Sequence, residues 1–189
     1  MYSNQKSLFL IAAVSLSPSL HADNLDLNLS NDTLGVRYTL PASALDTGVE
    51  FDVGWQYSEE ANDAENIFSG GLHVSGSNWT EYSEMELKLG VRGIYSSPGD
   101  DTFTAIGIGG QVRAGVADRI GIGAGLYYAP SITSFGDADS YMELRIRAEY
   151  EVLPNADAYL GWQSISVDHK DRGDADLQEG FHLGISLDL

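Results

Sequence analysis

Residues 119–152 read RIGIGAGLYYAPSITSFGDADSYMELRIRAEYEV and hold two alternating segments on either side of a polar connection. In residues 120–128, apolar side chains alternate mainly with glycine, and in residues 142–152 they alternate with charges, as in the neighbours Leu144 and Arg145. A period of two is typical of a β-strand with two different faces. Each segment has about ten residues, the length of a tilted strand that crosses a bilayer.

Such strands fit two classes of barrel, which differ in orientation. In a soluble barrel the apolar face points inward, around a core or a cavity for an apolar ligand. In an outer-membrane barrel the apolar face contacts lipid and the charged face lines the interior. A soluble periplasmic carrier of a small apolar ligand is therefore the alternative to a membrane barrel.

Composition excludes several classes of function. The 189 residues fit one domain, and the absence of cysteine excludes disulfides, zinc-thiolate sites and thiol nucleophiles. Asp and Glu number 28 against 10 Lys and Arg. So acidic a chain is a poor partner for nucleic acid or an anionic membrane surface.

The first 22 residues resemble an export signal. Lys6 precedes the apolar run 8–16, and the segment ends in the small residue Ala22. We predict that residues 1–22 are a cleaved signal peptide and that residues 23–189 form the barrel. Loss of Lys6 leaves nine basic against 28 acidic residues, a net charge of −19. No apolar run reaches the roughly 18 residues of a transmembrane helix.

The remaining alternation predicts an all-β, antiparallel, up-and-down transmembrane β-barrel of about ten strands, with eight as the alternative. The apolar phase reverses around Asn31 and Asp32, which predicts a hairpin that pairs Leu29 with Leu34. With the N-terminus on the periplasmic side, the longest connections lie outside, as outer-membrane barrels arrange them. The outer connections are predicted at 31–32, 59–66, 96–101, 129–140 and 168–179. The periplasmic connections are predicted at 41–48, 77–83, 116–118 and 153–156.

Aromatic residues collect near the predicted outer ends of the strands, where an interfacial girdle of a membrane barrel lies. Phe103 is the weak member, because its assigned face is inward. The six residues are Trp55, Tyr57, Phe68, Tyr95, Phe103 and Tyr128.

The last strand resembles the C-terminal signal of outer-membrane barrel proteins. A glycine at 184 is followed by apolar residues at alternate positions up to Leu189, where an aromatic residue is usual. This ending predicts recognition by the barrel-assembly machinery. We further expect a monomer surrounded by outer-membrane lipid and lipopolysaccharide.

Several segments are similar to the YfaZ family of Gram-negative outer-membrane proteins. The signature region is residues 127–141, YYAPSITSFGDADSY, and residues 28–33, 71–76 and 149–152 are similar as well. The resemblance covers nearly the whole mature chain and implies an outer-membrane barrel, sometimes called a porin. It implies no catalytic residues and no cofactor.

With the charged faces turned inward, oppositely charged side chains share a confined space and must be paired or hydrated. They form either a structural ion-pair network or a polar path for small solutes, with Arg145 and Arg147 at a constriction. Barrels of about eight strands are filled by their own side chains, and barrels of 16 to 18 strands leave an aqueous channel. A barrel of ten strands is closer to the first kind, so any pore is expected to be narrow. The candidate residues are Arg37, Glu50, Asp52, Glu84, Glu86, Lys88, Arg92, Arg113, Arg119, Glu143, Arg145, Arg147, Glu149 and Glu151.

Metal binding and catalysis have weaker signals. Acidic loop residues could hold Ca²⁺ or Mg²⁺ through oxygen ligands, but no loop completes a calcium-binding motif, so a solvated acidic surface and no metal are predicted. These residues are Glu59, Glu60, Asp63, Glu65, Asp137, Asp139, Asp174 and Asp176. The only local pairing of a base with a nucleophile is His73 with Ser75, whereas His169 and His182 have no evident partner. We therefore predict a structural or narrow-channel protein that is not an enzyme.

Overall fold

The computed structural model describes residues 24–41, 48–58, 65–80, 83–97, 102–169 and 173–189. The predicted signal peptide, residues 1–22, lies outside the described residues. Strands account for almost all of the described backbone. They are β1 Asn24–Leu29, β2 Thr33–Pro41, β3 Val49–Ser58, β4 Glu65–Thr80, β5 Ser83–Ser96, β6 Phe103–Ala117, β7 Ile120–Ala129, β8 Ser134–Gly136, β9 Ala138–Leu153, β10 Ala156–His169 and β11 Gly173–Asp188.

Ten of these strands form one closed antiparallel barrel. Each strand pairs with its neighbour in the chain, and β1 pairs with β11 to close the ring. The short β8 is the exception: it pairs with residues 103–105 of β6, beyond the point where β7 stops pairing with that strand. The prediction of an up-and-down barrel with about ten strands is confirmed.

The first hairpin has the predicted register. Leu29 lies opposite Leu34, and Ser30 N donates to Thr33 O at 2.9 Å across the turn. The reversal of the apolar phase in the sequence therefore marks a real hairpin, because a change of strand is the simplest way to keep the apolar residues on one face.

The barrel turns its apolar face outward. Ile146 on β9 is 51% exposed, whereas Glu143 on the same strand is 3% exposed and Arg92 on β5 is 1% exposed. A soluble carrier requires the reverse orientation, so that alternative is wrong. The outward face is a continuous apolar surface that suits contact with lipid acyl chains.

The outward aromatic residues form a band near the end of the barrel opposite the start of β1 and the end of β11. Trp55 lies opposite Phe68, and Phe68 lies opposite Tyr95 on the next strand. Trp55 Nε1 also donates to Asn66 Oδ1 at 3.1 Å. Phe103 does not belong to the band, because its side chain points inward and is buried.

Short turns at 118–119 and 154–155 lie at the end of the barrel where β1 begins at Asn24 and β11 ends at Asp188. Outer-membrane barrels place their short turns in the periplasm. We therefore refer to this end as the periplasmic end and to the opposite one as the outer end.

Two predicted connections are shorter than expected. The predicted loop 168–179 is mostly strand, because β10 continues to residue 169 and β11 begins at residue 173. The predicted turn 77–83 shrinks in the same way, since β4 extends to residue 80 and β5 begins at residue 83. Both segments are rich in polar residues, so their sequences resemble loops although most of their residues belong to paired strands.

On β10, the polarity of the two faces reverses near the outer end. On the periplasmic side of this point the inward face is polar. On its outer side, Ile165 and Val167 point inward and are buried, and Ser164 and Ser166 are half-buried on the other face. This reversal explains why the alternation of the sequence is ambiguous beyond Trp162. The outer end of the barrel therefore has an apolar interior.

Candidate functional site in the barrel interior

The outer end of the barrel is filled by buried apolar side chains, which we call the apolar plug. Its members come from β4 to β7 and from β9 to β11, and most are at most 1% exposed. They are Ile67, Ile94, Phe103, Ala105, Ala129, Ala138, Tyr141, Ile165, Val167 and Leu177. Close packing of this kind excludes water and dissolved solutes.

Directly below the plug, three glutamines from different strands bond across the interior. Gln163 Nε2 donates to Gln56 Oε1 at 3.2 Å and to Gln178 Oε1 at 3.1 Å. Gln178 Nε2 donates to Thr33 Oγ1 at 3.1 Å, and Gln56 Nε2 donates to Gln178. The amides satisfy one another, so this layer stays closed without water.

A buried arginine organises the next layer. Arg92 Nη1 donates to Glu143 Oε1 at 3.0 Å, and Arg92 Nη2 donates to Asp52 Oδ1 at 3.4 Å. Its guanidinium carbon lies 3.9 Å from the centre of the Tyr127 ring. One side chain thus links β5 to β3 and β9, and its charge is compensated by two carboxylates and an aromatic face.

Asp52, His73 and Tyr127 form a hydrogen-bonded chain across β3, β4 and β7. His73 Nδ1 lies 3.0 Å from Asp52 Oδ2, and His73 Nε2 lies 2.6 Å from the Tyr127 hydroxyl. Gln111 Nε2 also donates to that hydroxyl at 3.2 Å. Ser75 takes no part, because its hydroxyl donates to Gly48 O at 3.0 Å. The predicted pairing of His73 with Ser75 is wrong.

Inward-facing glycines create the space for these side chains. A Cβ atom at Gly71 would lie 2.3 Å from His73 Cε1, and one at Gly90 would lie 2.6 Å from His73 Cδ2. The imidazole therefore lies flat against the backbone of β4 and β5. An inward-facing glycine thus marks a place where the side chain of a neighbouring residue lies against the barrel wall.

Ion pairs line the interior towards the periplasmic end. Lys88 Nζ lies 2.7 Å from Glu50 Oε2 and 3.4 Å from Glu86 Oε1. Arg37 Nη1 lies 3.1 Å from Asp52 Oδ1. These contacts join β2, β3 and β5.

Two further arginines form pairs on the opposite wall. Arg113 bonds to Glu149 and, at 2.6 Å, to Asp157. Arg147 Nη1 lies 3.0 Å from Asp26 Oδ2, and its Nε lies 2.5 Å from Glu149 Oε1. Asp26 belongs to β1, so Arg147 links the first strand of the chain to β9.

Three of the residues named from the sequence stand apart from this network. Arg119 is exposed in the turn between β6 and β7, with a φ of 61°, and does not line the interior. Glu151 is half-buried at the periplasmic end, and its backbone N donates to Arg119 O at 2.9 Å. The side chain of Glu84 lies outside the described residues.

The remaining candidates from the sequence give little chemistry. In the described part of the chain, no group of three or more His, Asp or Glu side chains is placed to hold a metal ion. Asp137 Oδ2 accepts a bond from Thr102 N at 3.2 Å. The side chains of the other acidic loop residues, apart from Asp139, and that of His169 lie outside the described residues.

A polar cavity of about 380 Å³ occupies the periplasmic half of the barrel. We call it the vestibule. It reaches from Arg145 and Gln163 in the middle of the barrel to Asn24 and Asp188 at the periplasmic end. Its volume lies within the range of small-molecule sites.

Sequence reasoning missed the glutamine layer, Tyr127 and Tyr159, and it named His182 only as a histidine without an evident partner. Gln56 and Gln163 occupy inward positions of the alternation, so their place could have been read from the pattern. Their contacts could not be predicted from the pattern. The partners of Gln56 lie more than 100 residues away, and Gln163 lies on β10 where the alternation of apolar and polar residues is ambiguous.

Residues 5–189 match the sequence profile of the family described as YfaZ precursor. The chain belongs to the YfaZ family. The match extends over nearly the whole chain and agrees with the closed barrel and its outward apolar face. This YfaZ-family protein is an outer-membrane β-barrel.

Three solved structures are similar to this YfaZ-family barrel at low identity. One is described as a bacterial polysaccharide outer membrane secretin, at 10% identity and a TM-score of 0.43, and covers 83% of the chain. The chain spans 56% of that protein. The NanC porin (10%, TM-score 0.42) and the KdgM porin (7%, TM-score 0.39) each cover 89% of the chain, which spans 99% of each.

No curated protein matches the sequence. None of the helical segments that the structure describes could cross a bilayer.

Proposed function

We propose that this protein is a structural outer-membrane barrel that is closed to solutes in its resting state. The observation that carries the proposal is the apolar plug. Phe103, Ile94 and Val167 are each at most 1% exposed, and the glutamine layer lies directly beneath them. A hydrated path requires continuous polar space, which the described part of the outer end does not provide.

The second candidate is a narrow channel that opens when the plug rearranges. The vestibule favours this candidate, because a polar cavity already extends over half of the barrel. In that case, Arg145 and Arg147 would line the path for solutes. The two candidates differ in what the plug does, and not in the fold.

We also propose that the protein is not an enzyme. The chain Asp52–His73–Tyr127 resembles a catalytic relay in composition, but all three side chains are buried. Both ring nitrogens of His73 are occupied by partners of the protein. A general base must be within reach of a substrate proton, and this geometry leaves no such position.

Planar-bilayer conductance of the purified full chain tests closure. We expect the wild type to show no discrete conductance steps across salt concentration and voltage. A variant with Phe103→Ser and Val167→Ser, which places hydroxyls in the plug, should show steps. The control variant Ile106→Ser alters a side chain on the outward face and should remain silent. Steps in the wild type would favour the channel.

We propose that residues 1–22 are removed on export, and that β11 is recognised by the barrel-assembly machinery. We further propose a monomer that contacts lipid and lipopolysaccharide through the outward face. Truncation of the chain before Gly184 should abolish assembly into the outer membrane, as measured by membrane fractionation.

A further inference from the structure

Arg145 differs from the other arginines of the barrel interior. Arg37, Arg92, Arg113 and Arg147 each bond to a carboxylate through a terminal amino group. Arg145 reaches Glu143 Oε1 only through Nε, at 2.8 Å. Among the described residues, its two terminal amino groups have no carboxylate partner. The side chain is 27% exposed and lines the vestibule.

The charges around Arg145 do not balance. Three guanidinium groups, of Arg37, Arg92 and Arg145, share the two carboxylates of Asp52 and Glu143. Glu143 also accepts a bond from the Tyr141 hydroxyl at 2.8 Å. The charged groups that act on Arg145 are Arg37, Glu143 and Arg92, so two positive neighbours face it with one carboxylate. An enclosed charge without a partner is costly, so this position favours an anion.

His182 provides an independent indication at the same place. The residue is 7% exposed and lines the vestibule, and its Nδ1 is buried without a hydrogen-bond partner among the described residues. The ring packs edge-on against Tyr159, with centres 5.8 Å apart. A Cβ at Gly161 would lie 2.4 Å from His182 Nε2, so the glycine provides the space for the ring. Buried polar atoms normally have partners, and this one lacks its own.

The two features belong to one region. The charged groups that act on His182 are Arg145, Asp26 and Arg147. Asp26 is already held by Arg147 at 3.0 Å and by the Tyr159 hydroxyl at 2.7 Å. Among the described side chains that line this part of the vestibule, Arg145 and His182 therefore have donor or acceptor groups left without a partner.

The periplasmic rim of the vestibule is acidic. Its carboxylates outnumber its two basic groups, Lys88 and Arg113. They belong to Glu50, Glu86, Asp157 and Asp188. A rim of this sign repels anions with several charges more strongly than those with one.

We propose that the vestibule binds a small monocarboxylate that enters from the periplasmic end. Its carboxylate accepts hydrogen bonds from the terminal amino groups of Arg145, whose planar fork matches a carboxylate, and from His182 Nδ1. The acidic rim selects against di- and tricarboxylates. The proposal does not depend on closure of the outer end.

Calorimetric titration of the detergent-solubilised full chain with sodium lactate, at constant ionic strength, tests the proposal. We expect saturable binding, with a much weaker response to citrate. Arg145→Gln should weaken lactate binding about tenfold or more, because it removes a charge-assisted bidentate contact. His182→Phe should weaken it several-fold. Arg119→Gln removes the same charge from an exposed turn and should bind as the wild type does.

Each variant is first checked for folding by its heat-dependent mobility on gels. If Arg145→Gln does not fold, Arg145→Lys serves instead; it retains the charge but loses the fork, and should still weaken binding. No saturable binding of lactate by the wild type would overturn the proposal. Unchanged affinity in a folded Arg145 variant, or an equal loss in Arg119→Gln, would do the same. Because the assay uses no bilayer, its outcome is independent of the conductance test.

Discussion

His73 on β4 and Tyr127 on β7 are joined by a 2.6 Å hydrogen bond through the interior, 54 residues apart in the chain. The strands that carry them are separated by β5 and β6 in the ring. The bond therefore braces the barrel across its interior, and Arg92 stacks on the same tyrosine ring.

Tyr127→Phe should destabilise the barrel by about 1–3 kcal/mol, because it leaves His73 Nε2 buried without its partner. Urea unfolding in lipid vesicles measures the change. The adjacent Tyr128→Phe is the matched control: its side chain is exposed on the outward face, and the expected change is within about 0.5 kcal/mol. Equal effects of the two substitutions would contradict the brace.

Arg92→Gln should cost about 3–5 kcal/mol, since it leaves Asp52 and Glu143 with one fewer compensating charge in a buried layer. Adding Glu143→Gln should recover part of the loss. A double-mutant cycle on unfolding free energies gives the coupling between the two residues. Strict additivity would mean that the pair does not interact.

Gly71→Ala should destabilise the barrel by about 1–3 kcal/mol, because its Cβ would lie 2.0 Å from Asp52 Oδ2. Gly76→Ala, on the same strand, is the control. No atom lies within 4 Å of a Cβ at that position, so the change should be neutral or stabilising by at most about 1 kcal/mol. Thermal unfolding of both variants shows whether interior space limits the substitution.

Arg147→Ala should lower the melting temperature more than Arg145→Ala does. Arg147 pairs with carboxylates on its own strand and on β1, whereas the one carboxylate that Arg145 contacts among the described residues is Glu143 of its own strand. The link between β1 and β9 is lost only in the first variant. A larger effect of Arg145→Ala would show that the link contributes little.

Arg119→Gly should stabilise the barrel by up to about 1 kcal/mol. Arg119 adopts a φ of 61°, a left-handed conformation that costs a residue with a Cβ about 1–2 kcal/mol. Glycine avoids this conformational energy but loses more backbone entropy on folding. Equilibrium unfolding measures the gain. Destabilisation by this substitution would imply that the arginine side chain has an unrecognised contact.

Much of the barrel could be predicted from local patterns. Alternation places Ile146 and Arg145 on opposite faces of the strand without any knowledge of the neighbouring strands, since the side chains of a strand point to opposite faces by geometry alone. The same rule predicts the hairpin that pairs Leu29 with Leu34. It is less informative near Ile165, where the inward face itself becomes apolar.

The interior contacts could not be predicted in this way. Alternation identifies Asp52 and Glu143 as inward, but not that one arginine from β5 joins them. Nor does it distinguish Arg145, whose amino groups lack a carboxylate partner among the described residues, from Arg147, which is paired twice.

The division of each strand into an apolar and a polar face follows from the amino-acid order, because it depends on residues one or two positions apart. Closure of the outer end, the two positive neighbours of Arg145 and the unpartnered Nδ1 of His182 depend on the folded barrel. They arise where side chains from distant strands meet in a space whose width and register are set only when β1 pairs with β11.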